Sequence, residues 1–269
     1  MINSKSYDFT DLPEDIHIST ITITCHVNTD FYVNNIGKYL KLKPNGITMV
    51  KYCKIVNGEK KNCIRTINKE KKRRNNSANI NKKIFNNQIT IKVTCPNNTV
   101  SIKLFKNGSI QITGCKSINM CTNILQELFD ELLNNYNDII LVSKKENLTV
   151  DKIVNFKIRM INCNFNVNFN IDRKKLHNYL ENNDINSSFE PLAHSAVNIK
   201  YNYKNENKIS ILVFKRGAII ITGALKKEHI IAAYEFIVKT LYEQYSNIVV
   251  YDIDSLIREP TIQQFIKDN

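Results

Sequence analysis

The chain writes one pattern twice, and that repetition restricts its folds more than any other feature. Ser101-Ile-Lys-Leu-Phe-Lys-Asn-Gly-Ser-Ile-Gln-Ile-Thr-Gly-Cys-Lys116 returns from Ser210 as Ser-Ile-Leu-Val-Phe-Lys-Arg-Gly-Ala-Ile-Ile-Ile-Thr-Gly-Ala-Leu-Lys226. Phe105, Gly108, Thr113 and Gly114 recur as Phe214, Gly217, Thr222 and Gly223 at a constant offset of 109. The amphipathic segment that follows keeps the offset: Leu125, Leu128, Phe129, Leu132, Leu133 and Tyr136 become Tyr234, Ile237, Val238, Leu241, Tyr242 and Tyr245. A period of this length means that one supersecondary unit has been duplicated.

Each copy reads as strand, tight turn, strand, helix. Alternation puts Ile102 and Leu104 on one face and Ser101, Lys103 and Phe105 on the other. Lys106-Asn107-Gly108 and Lys215-Arg216-Gly217 carry turn chemistry. Ile110 and Ile112 continue the apolar face, as do Ile219 and Ile221; Gln111 and Thr113, or Ile220 and Thr222, continue the other. A helix over 118–136 covers the apolar face. The second face stays open, and it carries a phenylalanine.

A strand over 16–25 and a short helix over 30–40 precede the first copy, with Phe31, Ile36, Tyr39 and Leu40 as the buried stripe. These features recur as Ile161, Cys163 and Phe165, then Ile171, Leu176, Tyr179 and Leu180, now at an offset of 140. The fall from 140 to 109 means that the first copy holds 31 extra residues. They coincide with a flexible basic loop over 59–83, which includes Lys60, Lys61, Arg65, Lys69, Lys71, Lys72, Arg73, Arg74, Lys82 and Lys83. A solvated insertion and a phosphate-contacting one both stay open. A strand over 85–94 follows it.

The expected organisation is a tail over 1–15, a first repeat over 16–143 with its insertion at about 54–83, and a charged linker over 144–153. A second repeat spans 154–250 and an extension 251–269. The fold class is α+β: one continuous antiparallel sheet with four helices on one face.

A net charge of +13 favours a polyanionic partner, most often nucleic acid. Seven cysteines, odd in number and without a C-x-x-C pair, read as reduced intracellular thiols. No apolar run spans a membrane and 1–15 is not a signal peptide. His17, His26, His177 and His229 lack ligand spacing, and Asp252 with Asp254 makes no metal set. There is no nucleophile–base set, phosphate loop or paired catalytic carboxylate, so neither an enzyme nor a cofactor is expected.

These residues resemble the TATA-binding protein family. The doubled Phe-x-x-Gly-x-x-x-x-Thr-Gly pattern, the stretch from Phe156 to Leu176 and Phe189-Glu190-Pro191 carry the likeness, and the insertion and Asn/Lys-rich style look like the versions encoded by large DNA viruses. The resemblance implies a saddle, with helices on its convex side and a concave sheet on the minor groove of A/T-rich promoter DNA, kinked by apolar wedges. The implied wedges are Phe105 and Phe214, with Phe85 and His194 at the partner positions. His194 departs from the family's phenylalanine. Two central asparagines of the family are Thr20 and Met160 here. Thr22, Thr24, Gln111, Thr113, Asn162, Asn164, Leu212, Ile220 and Thr222 complete the implied concave face. Thr, Asn and Gln can reach the acceptors that every A·T pair presents in the minor groove.

Implied phosphate contacts are Lys92, Lys106, Lys200, Lys215 and Arg216. Glu190 would belong to a surface for a transcription factor IIB-like protein, with RNA polymerase machinery as a further partner and a monomer on DNA. The implied place of action is inside an infected host cell, in the nucleus or a cytoplasmic viral factory, with virion packaging left open. The alternative reading is a saddle turned into a protein-interaction module, because the polar flanking residues of the concave face and the loss of the two central asparagines mark weakened DNA binding.

Overall fold

The computed structural model describes residues 9, 11–67, 85–96, 98–134 and 139–251. The tail over 1–8, the basic stretch 68–84 with Lys69, Lys71, Lys72, Arg73, Arg74, Lys82 and Lys83, and the extension 252–269 with its two aspartates lie outside the described residues. The chain divides into two compact units, one built on Ile18–Ile161 and the other on Asn162–Asn269 with Phe9–His17.

The first unit contains β1 (His17–His26), α1 (Val33–Tyr39), β2 (Ile47–Val56), β3 (Glu59–Thr66), β4 (Gln88–Cys95), β5 (Asn98–Phe105), β6 (Ser109–Cys115) and α2 (Ile118–Leu133). Its strands run in the order β3-β2-β4-β5-β6-β1, in antiparallel ladders. Ile89, Ile91, Ile102, Leu104, Ile110 and Ile112 alternate onto one face and are fully buried there. Leu125, Leu128, Phe129 and Leu132 of α2 close over that face. Ser117 starts α2 by accepting a hydrogen bond from the Met120 N–H at 3.1 Å.

The second unit holds β7 (Val154–Asn166, whose first half belongs to the first unit), β8 (Asn170–Ile171), α3 (Arg173–Asn182) and β9 (Ser187–Ser188). It continues with β10 (Val197–Tyr203), β11 (Asn207–Val213), β12 (Ala218–Ala224), α4 (Lys227–Glu243), α5 (Tyr245–Ile248) and β13 (Val249–Val250). The strand order is β7-β12-β11-β10-β9. The α+β class read from the sequence therefore holds: antiparallel strands with helices over their apolar face.

The duplication is visible atom by atom. Gly108 and Gly217 both take positive φ, 83° and 74°, and the carbonyl of each accepts the N–H of Val27 or Val167. Gly114 and Gly223, at φ 108° and 91°, also match, and the side-chain amides of Asn98 and Asn207 donate to their carbonyls. In the first copy Gly114 is the extra residue between the Thr113–Thr22 and Cys115–Ile21 pairs, a bulge that keeps Thr113 on the open face and Cys115 in the core.

Four local expectations change. The first part of the expected basic loop is β3, a strand paired with β2 from Glu59 to Thr66. The strand expected from 85 begins at Gln88, so Phe85 precedes it. Tyr39 is exposed, because the buried stripe of α1 is Val33, Ile36, Gly37 and Leu40; at 100° per residue its centre lies well round the helix from Tyr39. Tyr242 and Tyr245 are exposed at the end of the second copy and meet the Phe169 ring edge-on at 5.9 and 4.9 Å. The seven cysteines carry no disulfide, and burial pushes the Cys25 and Cys163 thiols up to about 12.

Candidate nucleic-acid interface

Strand register decides what the uncovered face presents. In the first unit Lys92, Ser101, Thr113 and Thr22 lie directly across from one another on β4, β5, β6 and β1. The next row is Thr90, Lys103, Gln111 and Thr24. The second unit repeats the first row as Lys200, Ser210 and Thr222, and Thr222 donates to the side-chain oxygen of Asn162 at 2.6 Å. The matching hydroxyl pair in the first unit is Thr22 to Thr113 at 3.4 Å. Lys92 and Lys200 are thus equivalent by register: each sits across from a serine, and the Lys200 ammonium donates to Ser210 at 2.8 Å.

The second rows differ. Where the first unit has Thr90, Lys103 and Gln111, the second has Asn198, Leu212 and Ile220. One copy presents a polar, basic row, and the other an uncharged row in which Leu212 and Ile220 follow Asn198. Thr20 and Asn198 each bury a side-chain oxygen that has no hydrogen-bond partner in the protein. Met160 is half-buried and Asn164 exposed on β7.

Phe105 closes β5 and Phe214 follows β11, each half-buried at a turn. The His194 ring comes to 6.2 Å from the Phe214 ring, tilted by 51°, so this expected pair is brought together. Its Nδ1 accepts the Ala196 N–H at 3.2 Å, and the His194 backbone N–H donates to the Glu190 carbonyl at 2.8 Å. In the first unit it is Gln88 that faces Phe105 across the ladder, while Phe85 is exposed ahead of β4. Lys106, Lys215 and Arg216 are exposed on the turns. The backbone carbonyls of Lys106 and Lys215 hold Phe31 and Ile171 by hydrogen bonds of 3.0 and 2.7 Å, which fixes where those turns stand. Glu190 is exposed in the loop before β10, and Leu192 beside it is entirely solvent-facing.

The structure adds residues that the repeated pattern does not mark. Arg173 lies over the Phe189 ring at 5.1 Å and donates to the Ser195 carbonyl, tying the Phe189–Ser195 loop to α3. Lys103 occupies the middle of the open-face row; the alternation that placed Phe105 there placed Lys103 too. Arg159 donates to the Thr24 hydroxyl at 2.8 Å, which brings a guanidinium to that row. No sequence pattern pointed to Arg159 or Arg173. Among the described residues no cluster of His, Cys, Asp or Glu could hold a metal, and no helix is long and apolar enough to cross a membrane.

A twice-repeated antiparallel α+β unit, with helices over one face and a basic, aromatic-edged open face, is a form that sheet-based nucleic-acid readers take. Residues 155–244 match the family model described as transcription factor TFIID, or TATA-binding protein. A TATA-box-binding protein-like protein of Acanthamoeba polyphaga mimivirus is 35% identical over 273 residues, covering 94% of this chain and 72% of that protein. The solved structure of Methanococcus jannaschii TBP shares the fold, with a TM-score of 0.52 at 14% identity over 85% of this chain and 99% of that one. The chain belongs to the TATA-binding protein family.

Proposed function

We propose that the protein is a transcription initiation factor that binds and bends A/T-rich promoter DNA through the minor groove. The observation that carries this reading is the duplicated open face, with Phe105 and Phe214 at matching turns and Lys92 and Lys200 at matching register positions. Phe105, Phe214, His194 and Phe85 act as wedges between base steps. Half-exposed rings at turns can enter a stack without unpacking the core. Thr22, Thr24, Thr113, Gln111, Asn162, Asn164 and Thr222, with the central Thr20 and Met160, face base edges, and Leu212 and Ile220 supply apolar contact. Lys92, Lys106, Lys200, Lys215 and Arg216 meet phosphates, which gives affinity and salt dependence without reading sequence. The protein acts as a monomer on DNA, and Glu190 joins a surface for a factor IIB-like partner that brings in polymerase.

A second reading, a protein-interaction module with weak DNA binding, draws support from polar groups already satisfied within the sheet, Thr22 with Thr113 and Thr222 with Asn162. End-labelled duplexes distinguish the two by energy transfer. Bending that prefers A/T-rich over G/C-rich DNA, and that disappears in Phe105→Ala and Phe214→Ala, is the expected result. Salt-sensitive binding without bending, indifferent to both substitutions, would sink the wedge mechanism and leave the interaction module.

A further inference from the structure

The first unit carries a strand, β3, outside β2, whereas the second unit's sheet ends at the two-residue β9. Register fixes which way its side chains point. Val50 pairs with Ile91, and both are fully buried on the helix side. Lys51, the next residue, therefore stands across from Thr90 on the open face, and Ile64 of β3 stands across from Lys51. The row Thr90–Lys103–Gln111–Thr24 thus continues outward by two strands through Lys51 to Ile64. By the same alternation Lys60, paired with the exposed Ile55, is on the open face, while Lys54, Lys61 and Arg65 point to the helix side.

We propose that the β2–β3 hairpin is an added phosphate-binding edge of the DNA interface, with Lys51 and Lys60 as its contacts. The inference rests on the DNA-binding reading above and extends it to residues outside the repeated pattern. Duplex DNA is the occupant that the charge selects. No acidic residue falls at an open-face position of the hairpin: its one acid, Glu59, pairs with Val56 on the other side and lies 3.8 Å from Lys61. Arg65 is engaged in the fold, since its guanidinium donates to the carbonyls of Gly37 and Leu40 at 2.9 and 3.1 Å. That bond fastens β3 to the end of α1, so the added lysines stand on a held strand. Lys51 is also separated from Lys103 by one residue, Thr90, along a single row, which makes the basic track continuous.

The test uses the full chain and an A/T-rich duplex, with affinity measured from 50 to 200 mM salt. Removing one lysine–phosphate pair lowers the slope of log K against log salt by about 0.9. K51A/K60A should therefore reduce it by nearly two, whereas K54A/K61A, of identical net charge, should leave it almost unchanged. Equal reductions in both variants would mean that net charge alone acts, and would overturn the proposal. An unchanged slope in K51A/K60A, with wild-type binding intact, would overturn it and leave the function proposed above standing. Wild type that binds no duplex at all would instead refute that function. A photo-crosslinking residue at Ile64 should capture DNA while the same residue at Cys63 does not, a result independent of how well the double variant folds. Capture of an acidic peptide in place of DNA by the Ile64 probe would assign the edge to a protein partner and overturn the proposal.

Discussion

A methyl group at Gly217 would lie 2.6 Å from the Phe169 carbonyl, and one at Gly108 would lie 2.2 Å from that of Val27. Both glycines also hold positive φ, so two penalties coincide at one atom. Gly217→Ala should destabilise the protein by roughly 2 kcal/mol or more, visible as a lower urea midpoint, since left-handed backbone alone costs about 1–3 kcal/mol. His229 offers a pH test. It is buried, and its Nδ1 accepts hydrogen bonds from Asn207 at 3.0 Å and the Leu225 N–H at 3.3 Å, so the neutral ring carries its proton on Nε2. Burial, and then the nearby Lys226 charge, hold its pKa below the ordinary histidine value. The folded pKa lies below the unfolded one. Its stabilisation is therefore complete above the unfolded value of about 6.5 and is lost as pH falls through it toward the folded pKa. Urea midpoints of wild type should drop between pH 7.5 and 5.5, and His229→Gln should flatten that drop.

The β2–β3 hairpin shows what a strand reading needs. Glu59–Thr66 has few apolar residues and many charges, which is why composition suggests a loop. The decisive signal lies elsewhere, in Asn57-Gly58. Both residues take positive φ, 50° and 80°, the two-residue turn chemistry that favours a hairpin. The register then follows from Val56 opposite Glu59. Arg65 completes the hairpin's hold on the unit: a helix leaves its last carbonyls unsatisfied, and this side chain reaches two from an adjacent strand. Arg65→Ala should cost roughly 1–3 kcal/mol. Hydrogen exchange should locate the loss in α1 and β3 while leaving β5 and β6 protected. Uniform loss across all elements would refute that local role. The repeated strands, by contrast, were legible because Ile/Leu alternation and a shared Gly-x-x-x-x-Thr-Gly spacing each specify the same face. Arg159 and Arg173 were not, because their partners, Thr24 and Phe189, are set by tertiary placement.

At the scale of the whole chain, the net charge of +13 says only that a polyanion is favoured. The structure adds where some of that charge goes: Lys92, Lys103 and Lys51 to one sheet face, Arg65 to a helix end, Lys227 to Asp11 at 2.8 Å. The family and the fold were readable from the duplication. The difference between the copies was not, because it depends on which residues line up across strands. That difference has a consequence for direction. Transcription leaves a promoter one way, while an A/T tract looks nearly alike from either end. Two identical halves could not tell those ends apart. Under the promoter-binding function proposed above, Thr90–Lys103–Gln111 in one copy and Asn198–Leu212–Ile220 in the other would offer DNA unlike contacts, and unlike contacts are what a choice of orientation needs.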